Sequence, residues 1–197
     1  EHWAYAPLPQ RRPDLARARR LLDRAGWPDP DGDGPAPRFR IVYKASNVPI
    51  RRRLAEAIQA QLATVGIAVD VRTYEWGTLY ADLRAGRFEL AAMSWVGVAD
   101  PDLYFLTLHS SMAPPAGLNR GRFASPAMDR LTARGRAATD VAARRRIYAR
   151  VQRRAAHDLP IIPLWWEDRV VVRTTRLVGF EATPSGDLRS LARARLE

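Results

Sequence analysis

Two tryptophans and three polar residues near the middle of the chain have the side-chain types that hold and orient a ligand. Trp95 closes an apolar run from Phe88, Asp100 and Asp102 flank Pro101 just beyond it, Asn119 follows, and Trp76 lies nineteen residues earlier. A large rigid aromatic covers an apolar part of a ligand without specifying it. A carboxylate supplies the charge-assisted contact that a buried cation requires. The same residues admit a plainer reading, in which the tryptophans pack in a core and the aspartates form turns and caps around Pro101. In either case the chemistry is that of binding, not of bond cleavage.

Catalytic and metal-binding patterns have no support in the chain. His2, His109 and His157 fall in no ligand spacing, no phosphate loop or dinucleotide fingerprint occurs, and there is no cysteine, which excludes disulfides, thiolate zinc sites and thiol catalysis. Asp29-x-Asp31-x-Asp33-Gly34 matches the first half of a calcium loop, but its twelfth position is Arg40 where a bidentate glutamate is needed. An acidic surface turn is therefore expected, with no catalytic residue, metal or cofactor.

A formal charge of +11 raises the alternative of a basic nucleic-acid-binding domain. The distribution speaks against it. Lys44 is the only lysine, and the arginines are spread over several amphipathic segments, as expected of solvated helix faces. With 47% hydrophobic and 27% charged residues, the 197-residue chain can bury a core. No run approaches the roughly 18 apolar residues of a membrane span, and no basic-then-apolar leader opens the chain. Glu1 reads as a cut within a longer protein.

The elements that would position these residues follow from local signals. Pro13 suits a first helical turn, and apolar spacing from Ala16 to Ala25 runs to a stop at Gly26. Phe39–Tyr43 alternates as a strand, Leu54, Ile58, Leu62 and Val65 share one helix face, and Ile67–Tyr74 is a second strand after Gly66. Strand, helix, strand implies a right-handed βαβ unit with a parallel pair. A helix over 76–85 ending at Gly86 and a strand over 88–95 follow. Ser125-Pro126 and Asp140 start two more helices, the second turning Ile147, Tyr148 and Val151 inward and Arg144, Arg145 and Arg153 outward. Residues 161–164 and 170–172 read as strands. The expectation is an α/β lobe with a mixed sheet flanked by helices, with Ile41, Val69 and Leu90 on neighbouring strands.

In order along the chain, several motifs together resemble the family 5 extracellular solute-binding proteins. They are Ala16 to Pro28, with its Ala25-Gly26-Trp27, then Glu75-Trp76, Gly86-Arg87-Phe88-Glu89-Leu90, Trp95 and Asp100-Pro101-Asp102. Gly117-Leu118-Asn119, Ser125-Pro126 with Asp129, and Asp158 to Leu164 complete the set. The resemblance implies a periplasmic-binding-protein-like lobe, one of two that close over a ligand and deliver it to an ABC permease in the membrane. Residues 1–164 would form the C-terminal ligand-binding lobe. Residues 165–197 would be an extension returning toward an N-terminal lobe of the same parent chain, leaving Trp165, Trp166 and Val170–Val172 exposed here.

The resemblance further implies a small solute such as a peptide as ligand, with Trp95, Trp76, Asp100, Asp102 and Asn119 contacting it. It implies a periplasmic or extracellular location, with membrane anchoring through the missing N-terminus left open. In peptide receptors of this kind an aspartate three residues after the cleft tryptophan pairs with the ligand's ammonium group. That position is Val98, so a sugar or an opine-like compound stands as the alternative ligand within the same transporter class.

Overall fold

The computed structural model describes residues 2–9, 12–32, 34–165, 168, 170–183 and 186–197. The chain divides into two compact units: Pro7–Met93 with Ala113–Arg122, and Glu1–Ala6 with Ser94–Met112 and Phe123–Glu197.

In the unit built on Pro7–Met93, helix α1 spans Leu15–Arg24. Its start lies just beyond the expected proline, because the Asp14 carboxylate accepts the Arg17 N–H at 2.8 Å and caps the first turn. Strand β1 (Phe39–Ser46), helix α2 (Pro49–Ala63) and strand β2 (Ile67–Tyr74) form the expected βαβ unit, with β1 and β2 parallel and Ile41 opposite Val69. Between α2 and β2 the chain turns at Gly66, whose φ of +84° lies in the left-handed region that glycine occupies at no steric cost. Tyr43, Ala45, Ala55, Val65, Ile67 and Val69 form the core between sheet and helix.

Helix α3 (Trp76–Ala85) is capped by the Glu75 carboxylate, which accepts the Gly77 N–H at 2.7 Å, and ends at Gly86. Lys44 on β1 reaches Asp82 on α3 at 2.7 Å, and Arg87 holds the other oxygen of that carboxylate at 2.9 Å. The single lysine is thus a structural tie between sheet and helix. Strand β3 is only Leu90–Ala91, parallel to β1 in the order β2-β1-β3, with Leu90 opposite Tyr43. This corrects the strand expected over 88–95. At its start the Glu89 carboxylate, not a backbone carbonyl, accepts the Val42 N–H at 2.5 Å, and residues 92–95 make no ladder. The three-strand sheet is wholly parallel.

The other unit is helical at its centre. Helix α4 spans Leu103–Leu108, α5 Pro126–Ala137 and α6 Val141–Asp158. Ser125 and Asp140 cap α5 and α6 through the Met128 and Ala143 N–H groups at 3.4 and 2.7 Å. Leu108, Met128, Tyr148 and Val151 are buried together with Ala4 from the N-terminal segment. Gln152 fastens that segment, accepting the Ala6 N–H at 3.1 Å and donating to the Ala4 carbonyl at 2.7 Å. Arg144 departs from the outward position expected of it. It folds over the rings of Trp3 and Tyr148, centred 5.1 and 5.6 Å away, because the cationic plane gains more there than in water.

Beyond α6 the expected strands at 161–164 and 170–172 do not form. Those residues are apolar, but strand structure needs a hydrogen-bonding partner, and the pattern alone supplies none. Ile162, Trp165, Val170 and Val172 are instead exposed, while Trp166 lies outside the described residues. Two short antiparallel strands, β4 (Leu177–Val178) and β5 (Arg195–Leu196), close the chain. Among the described residues no helix is long and apolar enough to cross a membrane.

Candidate functional site

Trp76 sits in the first turn of α3, where the Glu75 cap fixes the helix start. It is 51% exposed and stacks on Tyr80 one turn later, with ring centroids 5.6 Å apart. The guanidinium of Arg120 lies 5.3 Å from the Tyr80 ring, and its Nη1 is 3.2 Å from Met93 Sδ. Trp76, Tyr80, Arg120 and Met93 therefore make one soft, polarisable patch in the sheet-containing unit. Sequence reasoning singled out Trp76 alone. The i, i+4 spacing of Trp76 and Tyr80 was the available signal, whereas nothing local pointed to Arg120. Asn119 belongs to the same unit and is enclosed, only 2% exposed.

Trp95, Asp100 and Asp102 belong to the other unit. Trp95 is half-buried, and the chain beyond it turns at Gly97, whose φ is +71°. A side chain there would strain the backbone, so the glycine sets the direction of the loop after Trp95.

Both aspartates in that loop are engaged by arginines. The Arg144 guanidinium donates to Asp100 through both Nη groups, at 2.8 and 3.2 Å. Arg136 donates to Asp102 through Nε at 2.9 Å and Nη2 at 2.6 Å, while stacking 3.8 Å from the centre of the Phe105 ring. These are paired, two-pronged contacts, the geometry for which the planar guanidinium is suited. The Asp102 N–H also donates to Asp100 Oδ1 at 2.8 Å, closing a turn around Pro101. Partial burial pushes the Asp100 carboxyl up, but hydrogen bonds from Arg144 and from the Asp102 N–H outweigh it and hold the group below the usual carboxylate range. The Arg136 and Arg144 guanidinium groups are correspondingly raised by their carboxylate partners. Sequence reasoning identified the aspartates but neither arginine.

Two carboxylates of the incomplete calcium loop are engaged within the protein. Asp31 accepts the Ala36 N–H at 2.9 Å, and Asp29 lies 3.6 Å from the buried Arg38 guanidinium. Asp33 lies outside the described residues. Among the described residues no group of three or more metal-ligating side chains converges.

The arrangement offers aromatic surface and fixed polar groups. A family model described as bacterial extracellular solute-binding proteins, family 5 Middle, matches residues 1–115. Di/tripeptide-binding protein 4 of Pseudomonas aeruginosa (strain UCBPP-PA14) is 30% identical over 87% of this chain and 32% of its own length. Among solved structures, the Helicobacter pylori ABC transporter-associated periplasmic binding protein DppA in complex with the peptide STSA matches with a TM-score of 0.75 at 28% identity. That match covers 93% of this chain and 35% of the other. The dipeptide binding protein from Pseudoalteromonas sp. SM9913 in complex with Met-Leu matches with a TM-score of 0.73 at 26% identity, over 99% of this chain and 38% of its own. The chain thus spans about a third of the length of the curated relatives it matches. With a family model covering more than half of its residues and the fold of solved members over nearly all of them, the chain belongs to the family 5 bacterial extracellular solute-binding proteins.

Proposed function

We propose that the parent protein is the receptor subunit of an ABC importer, capturing a peptide or peptide-like solute outside the cytoplasm and delivering it to a membrane permease. The observation that carries this reading is the match of 93% of the chain to a peptide-complexed binding protein. Residues 1–164 act as the C-terminal ligand-binding lobe and 165–197 return toward the N-terminal lobe of the parent chain. The exposed Trp165, Val170 and Val172 support that extension, since large apolar side chains are seldom left in water without a partner. Trp95 and Trp76 provide apolar ligand contacts, and Asn119 contributes from within its unit.

One feature favours a ligand without a free amine. Val98 occupies the position where an ammonium partner is expected, and the nearby Asp100 and Asp102 are already held by arginines. A desolvated ammonium group would go unpaired there. Mass spectrometry of solute retained by the full-length protein, followed by calorimetric titration with free and N-acetylated peptides, tests both points. Retention of peptides supports the reading. Retention of sugars or opine-like compounds moves the assignment to non-peptide transport, and salt-sensitive binding of nucleic acid with no retained solute removes it.

A further inference from the structure

The two aspartates after Trp95 raise the question of what a pair of arginines gains by engaging them. Asp100 and Asp102 lie in a short loop that begins at Trp95, turns at Gly97 and enters α4 at Leu103. Three separate parts of the same unit grip this loop. Arg144, on α6, takes Asp100; Arg136, at the end of α5, takes Asp102; and His2 Nε2 lies 3.1 Å from the Ala99 carbonyl oxygen. Each arginine is itself fixed from behind. Arg144 donates Nε–H to the Gly135 carbonyl at 3.3 Å and lies over Trp3 and Tyr148, and Tyr148 is wholly buried. Arg136 lies over the ring of Phe105 of α4, the helix into which the loop runs.

A solvated arginine has many rotamers, and an exposed ion pair contributes little because ordering both side chains offsets the attraction. Here much of that ordering is already supplied by aromatic packing, so the guanidinium planes stand in place and the aspartates lock to them. The result is a loop held from outside by α5 and α6 in addition to its own turn around Pro101, with no regular ladder between Val96 and Ala99. Trp95 is the residue from which this loop springs, so the clamp holds the chain on its C-terminal side.

We infer that Arg136 and Arg144 are positioning residues, acting through Asp102 and Asp100 to fix the loop that presents Trp95, so that these aspartates are framework and not ligand contacts. This rests on the reading of Trp95 as a ligand contact only for its consequence for binding; the clamp itself is independent of it.

The test uses the full-length protein labelled with 5-fluorotryptophan, with the Trp95 fluorine resonance assigned by Trp95→Phe. Asp100→Asn and Asp102→Asn remove the charge while leaving the arginine stacking in place. Arg144→Gln and Arg136→Gln remove the other partner. In each single variant the Trp95 resonance should shift or broaden and amide exchange over 96–102 should accelerate at least tenfold, at a temperature well below unfolding. The Trp27 and Trp76 resonances should stay. The double variant Asp100→Asn/Arg144→Gln should change little beyond either single one, because both delete the same interaction.

An unchanged Trp95 resonance and unchanged exchange over 96–102 in the two asparagine variants would overturn the inference, as would strictly additive effects in the double. If the arginine variants fail to fold, the asparagine variants alone decide. A peptide affinity lost on Trp95→Ala but retained in both asparagine variants, together with unmoved Trp95 resonances, also counts against the clamp. Absence of any retained peptide in the wild-type protein removes the peptide reading while leaving the spectroscopic outcome intact.

Discussion

Gly135 on α5 leaves just enough room for the ring of Tyr148 on α6: a Cβ at Gly135 would lie 2.8 Å from Tyr148 Cζ. The two helices approach at this point, and among the described residues of its unit Tyr148 is the largest wholly buried side chain. A methyl group cannot be accommodated there unless the buried Tyr148 ring or one of the two helices shifts. Gly135→Ala is therefore expected to destabilise this unit by about 1–3 kcal/mol, the usual range for overpacking, despite the better helix propensity of alanine. Urea denaturation followed by circular dichroism measures it. A gain in stability would show that α5 and α6 can separate slightly at no cost.

Acid should weaken both units through particular carboxylates. The Asp82 carboxyl is held below the usual range by hydrogen bonds from Lys44 and Arg87, and Asp100 is lowered by Arg144 against the effect of burial. A group whose folded pKa is depressed contributes stability that is complete above its unfolded pKa, about 3.9 for aspartate, and is lost as pH falls through the folded value. Stability should thus show no contribution from these groups' titration between pH 7 and 5 and should decline below about pH 4. Asp82→Asn should lower stability at pH 7 and flatten the acid limb, which denaturation series at several pH values would reveal.

The cap of α6 offers a cleaner local test. The Asp140 carboxylate accepts the Ala143 N–H and faces the positive end of an 18-residue helix. Asp140→Ala should cost roughly 0.5–2 kcal/mol, and Asp140→Asn or Asp140→Ser should recover most of it. Equal losses for all three substitutions would mean that the carboxylate matters for some reason other than capping.

In the full-length protein, Trp95→Ala should weaken ligand binding by about 1–3 kcal/mol without a matching fall in melting temperature, as expected of an aromatic anchor. Isothermal titration with the solute identified by mass spectrometry is the measurement. Retained affinity would place the ligand elsewhere.

Val98→Asp should create a partner for a ligand ammonium group. The variant is expected to favour free-amine over N-acetylated dipeptides by at least tenfold relative to the parent, read as a ratio of dissociation constants. An unaltered ratio would mean that residue 98 does not face the ligand's amino end.

The sequence by itself determined the elements whose signals are local. Period-two alternation and glycine stops marked β1, α2 and β2 and put Ile41, Val69 and Leu90 on neighbouring strands, as observed, because capping, turn chemistry and side-chain periodicity act over a few residues. The family motifs were legible for the same reason. Tertiary structure alone decided the length of β3, since an apolar run becomes a strand only where a neighbour offers hydrogen bonds, and here Glu89 takes the Val42 N–H and the ladder stops at Ala91. It likewise chose Arg136 and Arg144, which lie 34 and 44 residues from Asp102 and Asp100, out of a chain rich in arginine. Every arginine carries the same charge in the sequence. The packing of Phe105, Trp3 and Tyr148 against those two guanidinium planes, with the Gly135 carbonyl accepting the Arg144 Nε–H, gives them a fixed place, and with it a specific carboxylate partner.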